Sequence, residues 1–210
     1  MTLAAQLATG LAAMNLDLDA GQQEKLLAYV ALLAKWNKVY SLTAIREPVR
    51  MVAHHLLDSL APLPHMQGES IRILDVGSGF GTPGIPLAIA RPDWQLVLLD
   101  SNNKKTTFLR QVVLELQLTN VEVVADRVEH YQSGGQFHII TSRAFSDLAD
   151  FVKSTRHLLA PAGEWAALKG MYPYEEIAQL PAGVKLAGVE KLAVPGVGAE
   201  RHLIHIVQTE

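Results

Sequence analysis

Two carboxylates, each at the end of an apolar run, are the residues of this chain best placed for chemistry on a ligand. Ile73-Leu74-Asp75-Val76 passes into Gly77-Ser78-Gly79-Phe80-Gly81-Thr82-Pro83-Gly84, and further on the run Leu96-Val97-Leu98-Leu99 ends in Asp100. Two adjacent parallel strands would bring their C-terminal tips together, so the glycine turn and Asp100 would face one crevice. Glycine lets the backbone approach a ligand closely, and a carboxylate at the second strand tip can accept both hydroxyls of a ribose. Gly77, Gly79 and Asp100 are therefore candidates for binding a nucleoside cofactor. Asp75, just ahead of the glycines, suits a ligand with an ammonium group, held directly or through water.

The identity of that cofactor turns on two prolines. Gly79-x-Gly81-x-x-Gly84 fits a dinucleotide fingerprint, but such a match alone is weak. A pyrophosphate needs free backbone N–H groups in the first helical turn, and proline has none to give. Pro83 and Pro86 fall in that turn. S-adenosylmethionine carries no phosphate and loses nothing from them, so the residues favour it over a dinucleotide. A tight strand-to-helix turn without a ligand would leave acids at two strand tips unexplained.

Other clusters allow more than one reading. Ala125-Asp126-Arg127-Val128-Glu129 follows the third expected strand, where an acid or a backbone group would bind the adenine amino group; a solvated loop is the alternative. Arg143, after the fourth strand, can meet a carboxylate or phosphate with a bidentate fork, or make a surface ion pair. Within residues 35–50, Lys35, Lys38, Arg46 and Arg50 stand against the single acid Glu47, and residues 101–113 contain Lys104, Lys105 and Arg110 with no acid. Either cluster could follow a phosphate backbone, although a solvated helix face is the usual origin of such runs. Trp36 and Tyr40 could stack on bases, but Trp36 falls on an apolar stripe and reads as core. On a helix His54 would reach Asp58, and His55 would reach Ser59, at i, i+4. A helix-surface hydrogen bond is favoured there over a general base or a metal pair. No third ligand is spaced to complete a metal site, so none is expected.

The elements that must position these residues change character along the chain. Residues 1–68 read as a helical N-terminal extension. Leu26, Tyr29, Val30, Leu33 and Trp36 form one stripe, and a second helix opens at Pro48 with Val49, Val52, Leu56 and Leu60 inward. From residue 69 to 210, strands near 71–76, 95–100, 121–125, 137–141, 163–168, 184–193 and 202–208 alternate with helices near 83–90, 102–117, 145–159 and 173–180. Leu109, Val112, Val113 and Leu116 mark the core side of the helix after Asp100. Seven strands, the last two with no strong helix between them, imply a mostly parallel sheet with one antiparallel hairpin at its edge.

Composition sets the outer bounds. The 210 residues are 49% apolar and 19% charged, with a net charge of −3, so any basic footprint for nucleic acid must be local. There is no cysteine, which excludes disulfides, thiolate metal sites and a transferase that attacks pyrimidine C6 through a thiol. The N-terminal stretch lacks a basic leader and soon meets Asp17 and Asp19; with no membrane span expected, a cytoplasmic location is the default.

At these residues the chain resembles a known family, the small-subunit (16S) ribosomal RNA guanine-N7 methyltransferases, also called the glucose-inhibited division protein B family. The resemblance runs from about residue 25 to the C-terminus. It rests on Trp36-Asn37-Lys38-Val39-Tyr40-Ser41-Leu42-Thr43-Ala44-Ile45, His55-Leu56-Leu57-Asp58-Ser59-Leu60, the glycine turn through Leu87, Ser142-Arg143-Ala144-Phe145, Leu168-Lys169-Gly170 and Glu200-Arg201-His202. It implies a class I S-adenosylmethionine-dependent methyltransferase of α/β, Rossmann-like fold. The implied reaction is methyl transfer to N7 of the guanine at position 527, in the 530 loop of 16S ribosomal RNA. It also implies that Gly77, Thr82, Val128, Glu129 and Arg143 contact the cofactor. Phe80 departs from the family, which often has a small residue or proline there, and the first 20 residues match poorly. Guanine N7 has an in-plane lone pair, so the lack of a convincing nucleophile–base pair fits this reaction, and the absence of an Asn/Asp-Pro-Pro-Tyr/Phe loop argues against an adenine-N6 enzyme. Arg143, Lys169, Arg201 and Lys38 are the candidates for holding RNA. The expected partner is 16S ribosomal RNA or the small subunit, met by a monomer without a metal or a membrane. A dinucleotide-dependent reductase and a non-catalytic cofactor- or RNA-binding accessory protein are the alternatives.

Overall fold

The computed structural model of the chain describes residues 2–143, 145 and 147–209. Ala144 of the Ser142–Phe145 motif lies outside the described residues, as do Met1, Ser146 and Glu210.

The N-terminal helices are α1 (Leu3–Ala13) and α2 (Ala20–Tyr40). Asp19 starts α2 with a capping box: its carboxylate accepts the Gln22 N–H at 2.8 Å, and Gln22 Oε1 accepts the Asp19 N–H at 2.9 Å. Leu26, Tyr29, Val30 and Leu33 are all buried, as the stripe demands, and Trp36 packs on Phe108. The next helical stretch differs from expectation. It opens at Pro48 as α3 (Pro48–Met51), widens into a π turn (Val52–Leu57) and closes as α4 (Asp58–Leu60). Val52, Leu56 and Leu60 are buried, but Val49 is 54% exposed and Met51 takes the inward place. Val49 lies in the first turn, where a regular 3.6-residue period extrapolated back from the core misplaces it.

The sheet comprises β1 (Arg72–Val76), β2 (Gln95–Leu99), β3 (Val121–Val124), β4 (Phe137–Ser142), β5 (Leu159–Lys169), β6 (Val184–Lys191) and β7 (His202–Gln208), in the order β3-β2-β1-β4-β5-β7-β6. The first five strands are parallel, and β7 runs antiparallel between β5 and β6. This is the expected seven-stranded, mostly parallel sheet with an antiparallel hairpin at one edge. The order reverses between β1 and β4, which opens a crevice above the C-terminal tips of β1 and β2. The connecting helices are α5 (Gly84–Ala90), α6 (Asn103–Glu115), α7 (Leu148–Thr155) and α8 (Tyr174–Ala178). The helix expected from residue 145 begins only at Leu148, because Asp147 caps it by accepting the Asp150 N–H at 3.0 Å.

The N-terminal helices share their core with the sheet domain. Leu7, Leu26, Tyr29, Leu33 and Leu56 pack in one cluster with Ile85, Leu98, Phe108, Leu109 and Val112. Burial of this area, at about 25 cal/mol per Å² of apolar surface, holds the extension against α5 and α6. No helix among the described residues is long and apolar enough to cross a membrane.

Candidate active site

The glycine turn takes its shape from left-handed backbone. Gly77, Gly79 and Gly81 have φ of 67°, 60° and 105°, which side chains rarely tolerate. A Cβ on Gly77 would meet nothing within 4 Å, whereas one on Gly84 would lie 2.2 Å from Leu98 Cδ2. Gly77 thus bares the backbone to the crevice, and Gly84 lets α5 sit directly on β2. The first-turn amides of α5 are all used inside the protein: Gly84 N–H goes to Asp75 Oδ2, Ile85 N–H to Gly81 O and Leu87 N–H to Pro83 O, while Pro86 has none. A pyrophosphate would find no donor there.

The two acids differ sharply in environment. Asp75 is fully buried, and one oxygen, Oδ1, has no partner among the described residues. Burial pushes its carboxyl up to about 7, against the opposing pull of the Gly84 N–H and Arg143 and with reinforcement from Asp100. Of the two ways it was expected to meet an ammonium group, directly or through water, its full burial favours the second. Asp100 accepts the Gly79 N–H and the Asn102 N–H, each at 2.8 Å, and Lys105 Nζ approaches to 3.9 Å. Each oxygen keeps a lone pair, because a carboxylate has about four acceptor sites. A cavity of about 320 Å³ beside it is lined by Gly77, Asp100, Asp126, Val128, Glu129 and Phe145 among others. The open glycine, the orphaned Asp75 oxygen and the carboxylate at the β2 tip together fit a nucleoside carrying an amino-acid tail.

A second cavity, about 350 Å³, is lined by His54, His55, Asp58, Arg143, Lys169 and Arg201 among others. Arg143 joins the two. It lines the second cavity, and its Nη2 donates to Thr82 Oγ1 at 2.5 Å, within the turn that bares Gly77 to the first. Its Nη1 donates to His54 O at 3.3 Å and lies 3.5 Å from Asp58 Oδ2, and Phe80 lies under its guanidinium at 5.7 Å. Arg143 is therefore no surface ion pair.

The expected helix-surface pairs do not form. Asp58 binds Arg201 Nε through Oδ1 at 2.8 Å instead of His54, and His55 Nε2 meets Thr43 Oγ1 at 3.0 Å instead of Ser59. The π turn rotates these side chains off the i, i+4 spacing. His55 is buried against Phe80, and burial, followed by the nearby Arg143 charge, lowers its pKa to about 4. It is neutral near pH 7 and is no poised base. Lys169 donates to Glu176 Oε2 at 2.7 Å and to Phe145 O at 3.1 Å, so this candidate is already anchored by an acid. Lys38 is exposed and lies apart, in a groove of about 650 Å³ with Lys35 and Arg46. Tyr40 is exposed, while Trp36 stacks on it at 5.2 Å with its other contacts in the core. Among the described residues no cluster of three or more His, Asp or Glu could hold a metal.

The family model for rRNA small subunit methyltransferase G matches residues 22–204. The chain belongs to the rRNA small subunit methyltransferase G family. Family members carrying the name ribosomal RNA small subunit methyltransferase G include those of Laribacter hongkongensis, 61% identical over 98% of this chain and 99% of the relative, and Chromobacterium violaceum, 62% identical over 99% of each. The fold is also that of the glycopeptide N-methyltransferase MtfA in complex with S-adenosylmethionine (TM-score 0.64, 12% identity, 74% of this chain and 95% of that one). TrmN from Thermus thermophilus matches at TM-score 0.59 and 20% identity, over 82% of this chain and 53% of that one. As a member of this family the chain is a class I, S-adenosylmethionine-dependent methyltransferase, and both the resemblance and the fold class it implies hold.

Three contributors to this candidate site escaped the sequence reading. Asp58 was paired with the wrong partner, the carbonyl of His54 was invisible, and Tyr29 appeared only as a stripe residue. The Tyr29 hydroxyl donates to Phe80 O at 2.9 Å and so fastens α2 to the glycine turn. Only the Trp36–Ile45 and His55–Leu60 motifs hinted that the extension contacts these residues.

Proposed function

We propose that the chain transfers the methyl group of S-adenosylmethionine to N7 of guanine 527, in the 530 loop of 16S ribosomal RNA. The observation that carries this reading is Arg143, which grips the cofactor turn through Thr82 and also lines the neighbouring cavity. The printed name of the relatives, ribosomal RNA small subunit methyltransferase G, supports a ribosomal RNA acceptor.

When bound, S-adenosylmethionine supplies an electrophilic methyl group. Gly77 and Gly79 would leave room for it beside the backbone, and the spare lone pairs of Asp100 would accept the ribose hydroxyls. Val128 and Glu129, which line that cavity, would flank the adenine. Asp75 acts behind the turn, where it holds Gly84 and would offer Oδ1 to the amino-acid end through water. Arg143 and Thr82 fix the boundary between the two cavities. On the acceptor side, Arg143 and Arg201 hold RNA, Lys169 adds its charge to the same cavity while anchored on Glu176, and Lys38 follows the backbone farther out. Guanine N7 needs no deprotonation, so no general base is required, in keeping with a His55 held neutral. Holding N7 in line with the methyl carbon is the protein's main task, and orientation can supply a large share of the barrier.

The test is methyl transfer from labelled S-adenosylmethionine to small-subunit particles lacking this modification, followed by nuclease digestion. Label in 7-methylguanosine mapped to the 530 loop is the expected result. Label in another nucleoside would overturn the acceptor assignment, and tight cofactor binding without transfer to any ribosomal RNA would favour the accessory reading. The fully occupied amides of α5 weigh against the reductase.

A further inference from the structure

Asp58 sits at the meeting point of three distant segments. It belongs to the N-terminal extension, yet its carboxylate, only 6% exposed, faces Arg201 just before β7 and Arg143 just after β4. Two guanidiniums this close repel each other unless an anion lies between them. Asp58 is that anion. The π turn makes the arrangement possible: the Asp58 N–H bonds back to Ala53 O, which leaves the His54 carbonyl to accept Arg143. Such turns recur at functional sites.

The two arginines depend on Asp58 unequally. Arg143 keeps Thr82 Oγ1 and His54 O as acceptors whatever happens to Asp58. Arg201 has Asp58 Oδ1 at 2.8 Å as its side-chain partner, with the carbonyl of the adjoining Glu200 as its other acceptor. Loss of the Asp58 charge would therefore free Arg201 and leave Arg143 in place.

We propose that Asp58 is a positioning residue for the acceptor RNA: it holds the Arg201 guanidinium at the mouth of the second cavity, where that cation meets a phosphodiester of the strand carrying the target guanine. This rests on the reading of that cavity as the acceptor site. Asp58 lines the second cavity but not the one beside Asp100, and its carboxylate is turned to the two arginines, so we assign its influence to Arg201. The bond from Nε fixes the plane of the guanidinium, and a planar fork recognises phosphate only when correctly aimed.

The experiment compares wild type with Asp58→Asn, Arg201→Ala and the double variant, measuring kcat and KM for unmodified small-subunit particles and Kd for S-adenosylmethionine by calorimetry. Asp58→Asn is expected to raise KM for the particles about tenfold to a hundredfold while changing cofactor Kd less than about twofold. The double variant is expected to be no worse than Arg201→Ala alone, because the two residues act as one unit. Cofactor affinity falling in step with KM would assign Asp58 to the cofactor turn and overturn the proposal, as would an unchanged KM or additive losses. If Asp58→Asn does not fold, Asp58→Glu, which keeps the charge and moves it by one methylene, is measured against the same outcomes. A wild type that methylates no particle would sink the functional reading itself, whereas an active wild type with a kinetically silent Asp58→Asn sinks only the role of Asp58.

Discussion

Asp100 accepts the Gly79 N–H at 2.8 Å, so the carboxylate at the tip of β2 holds the glycine turn that follows β1. The same group braces the turn and faces the cavity. Its two tasks separate on substitution. Asp100→Ala removes a charged acceptor from two backbone amides, at a cost of about 1–3 kcal/mol in stability. It also removes the acceptor proposed for the ribose hydroxyls, so Kd for S-adenosylmethionine is expected to rise by roughly tenfold or more. Calorimetric titration beside thermal unfolding checks both. A destabilised variant with unaltered cofactor affinity would restrict Asp100 to bracing.

Gly77 and Gly84 are expected to fail in different ways. Gly84→Ala places a methyl 2.2 Å from Leu98 Cδ2 and 2.8 Å from Asp75 Oδ2, an overpacking that costs about 1–3 kcal/mol. Gly77→Ala meets no atom within 4 Å but adopts φ of 67°, at a strain of about 1 kcal/mol. Its methyl projects toward the cavity, so cofactor binding falls well beyond what stability explains. The contrast reads directly from melting temperature against Kd for the two variants.

The parallel strands were legible because β1, β2 and β4 are nearly unbroken apolar runs, a pattern that burial on both faces demands. The acids and glycines at their tips were legible because backbone chirality and ribose chemistry leave few residue types suited to those places. On the other side Arg143, Lys169 and Arg201 were legible and do line one cavity, but the contacts that position them were not. Asp58 and Arg201 lie 143 residues apart, and no local period announces a contact between a helix and the residue that leads into the distant strand β7. The π turn misled the reading further, since i, i+4 spacing drew Asp58 toward His54, and the same irregularity left Val49 facing solvent. Phe80, a departure from the family pattern, proves to be the surface on which both His55 and Arg143 rest.

Asp75 and His55 oppose each other in the pH dependence of stability. Folding raises Asp75 from 3.8 to about 7, so between those values the native state binds more protons than the unfolded chain. Its contribution is full below about pH 4 and is lost as pH rises toward 7. Folding lowers His55 from 6.5 to about 4, so its contribution is full above about pH 6.5 and is lost as pH falls toward 4. In wild type the two slopes largely cancel. Asp75→Asn is expected to leave a stability that climbs from about pH 4.5 to 6.5, and His55→Gln one that declines over the same range. Urea unfolding at several pH values checks this, and parallel curves for all three proteins would refute it.

Tyr29→Phe tests whether the extension serves the cofactor turn. The hydroxyl of Tyr29 is buried in the shared core and supplies the bond to Phe80 O at 2.9 Å. Burial also raises its pKa, so it remains a donor at all working pH values. Phenylalanine keeps the ring and its packing on Phe108 but strands a carbonyl, at a cost of about 1–3 kcal/mol. The loss falls on the turn itself, because Phe80 stands between Gly79 and Gly81. Cofactor Kd is therefore expected to rise severalfold, and amide exchange of residues 77–82 to quicken while that of α2 does not. Exchange that quickens equally along α2 would place the damage in the helix packing and deny Tyr29 any particular hold on the turn.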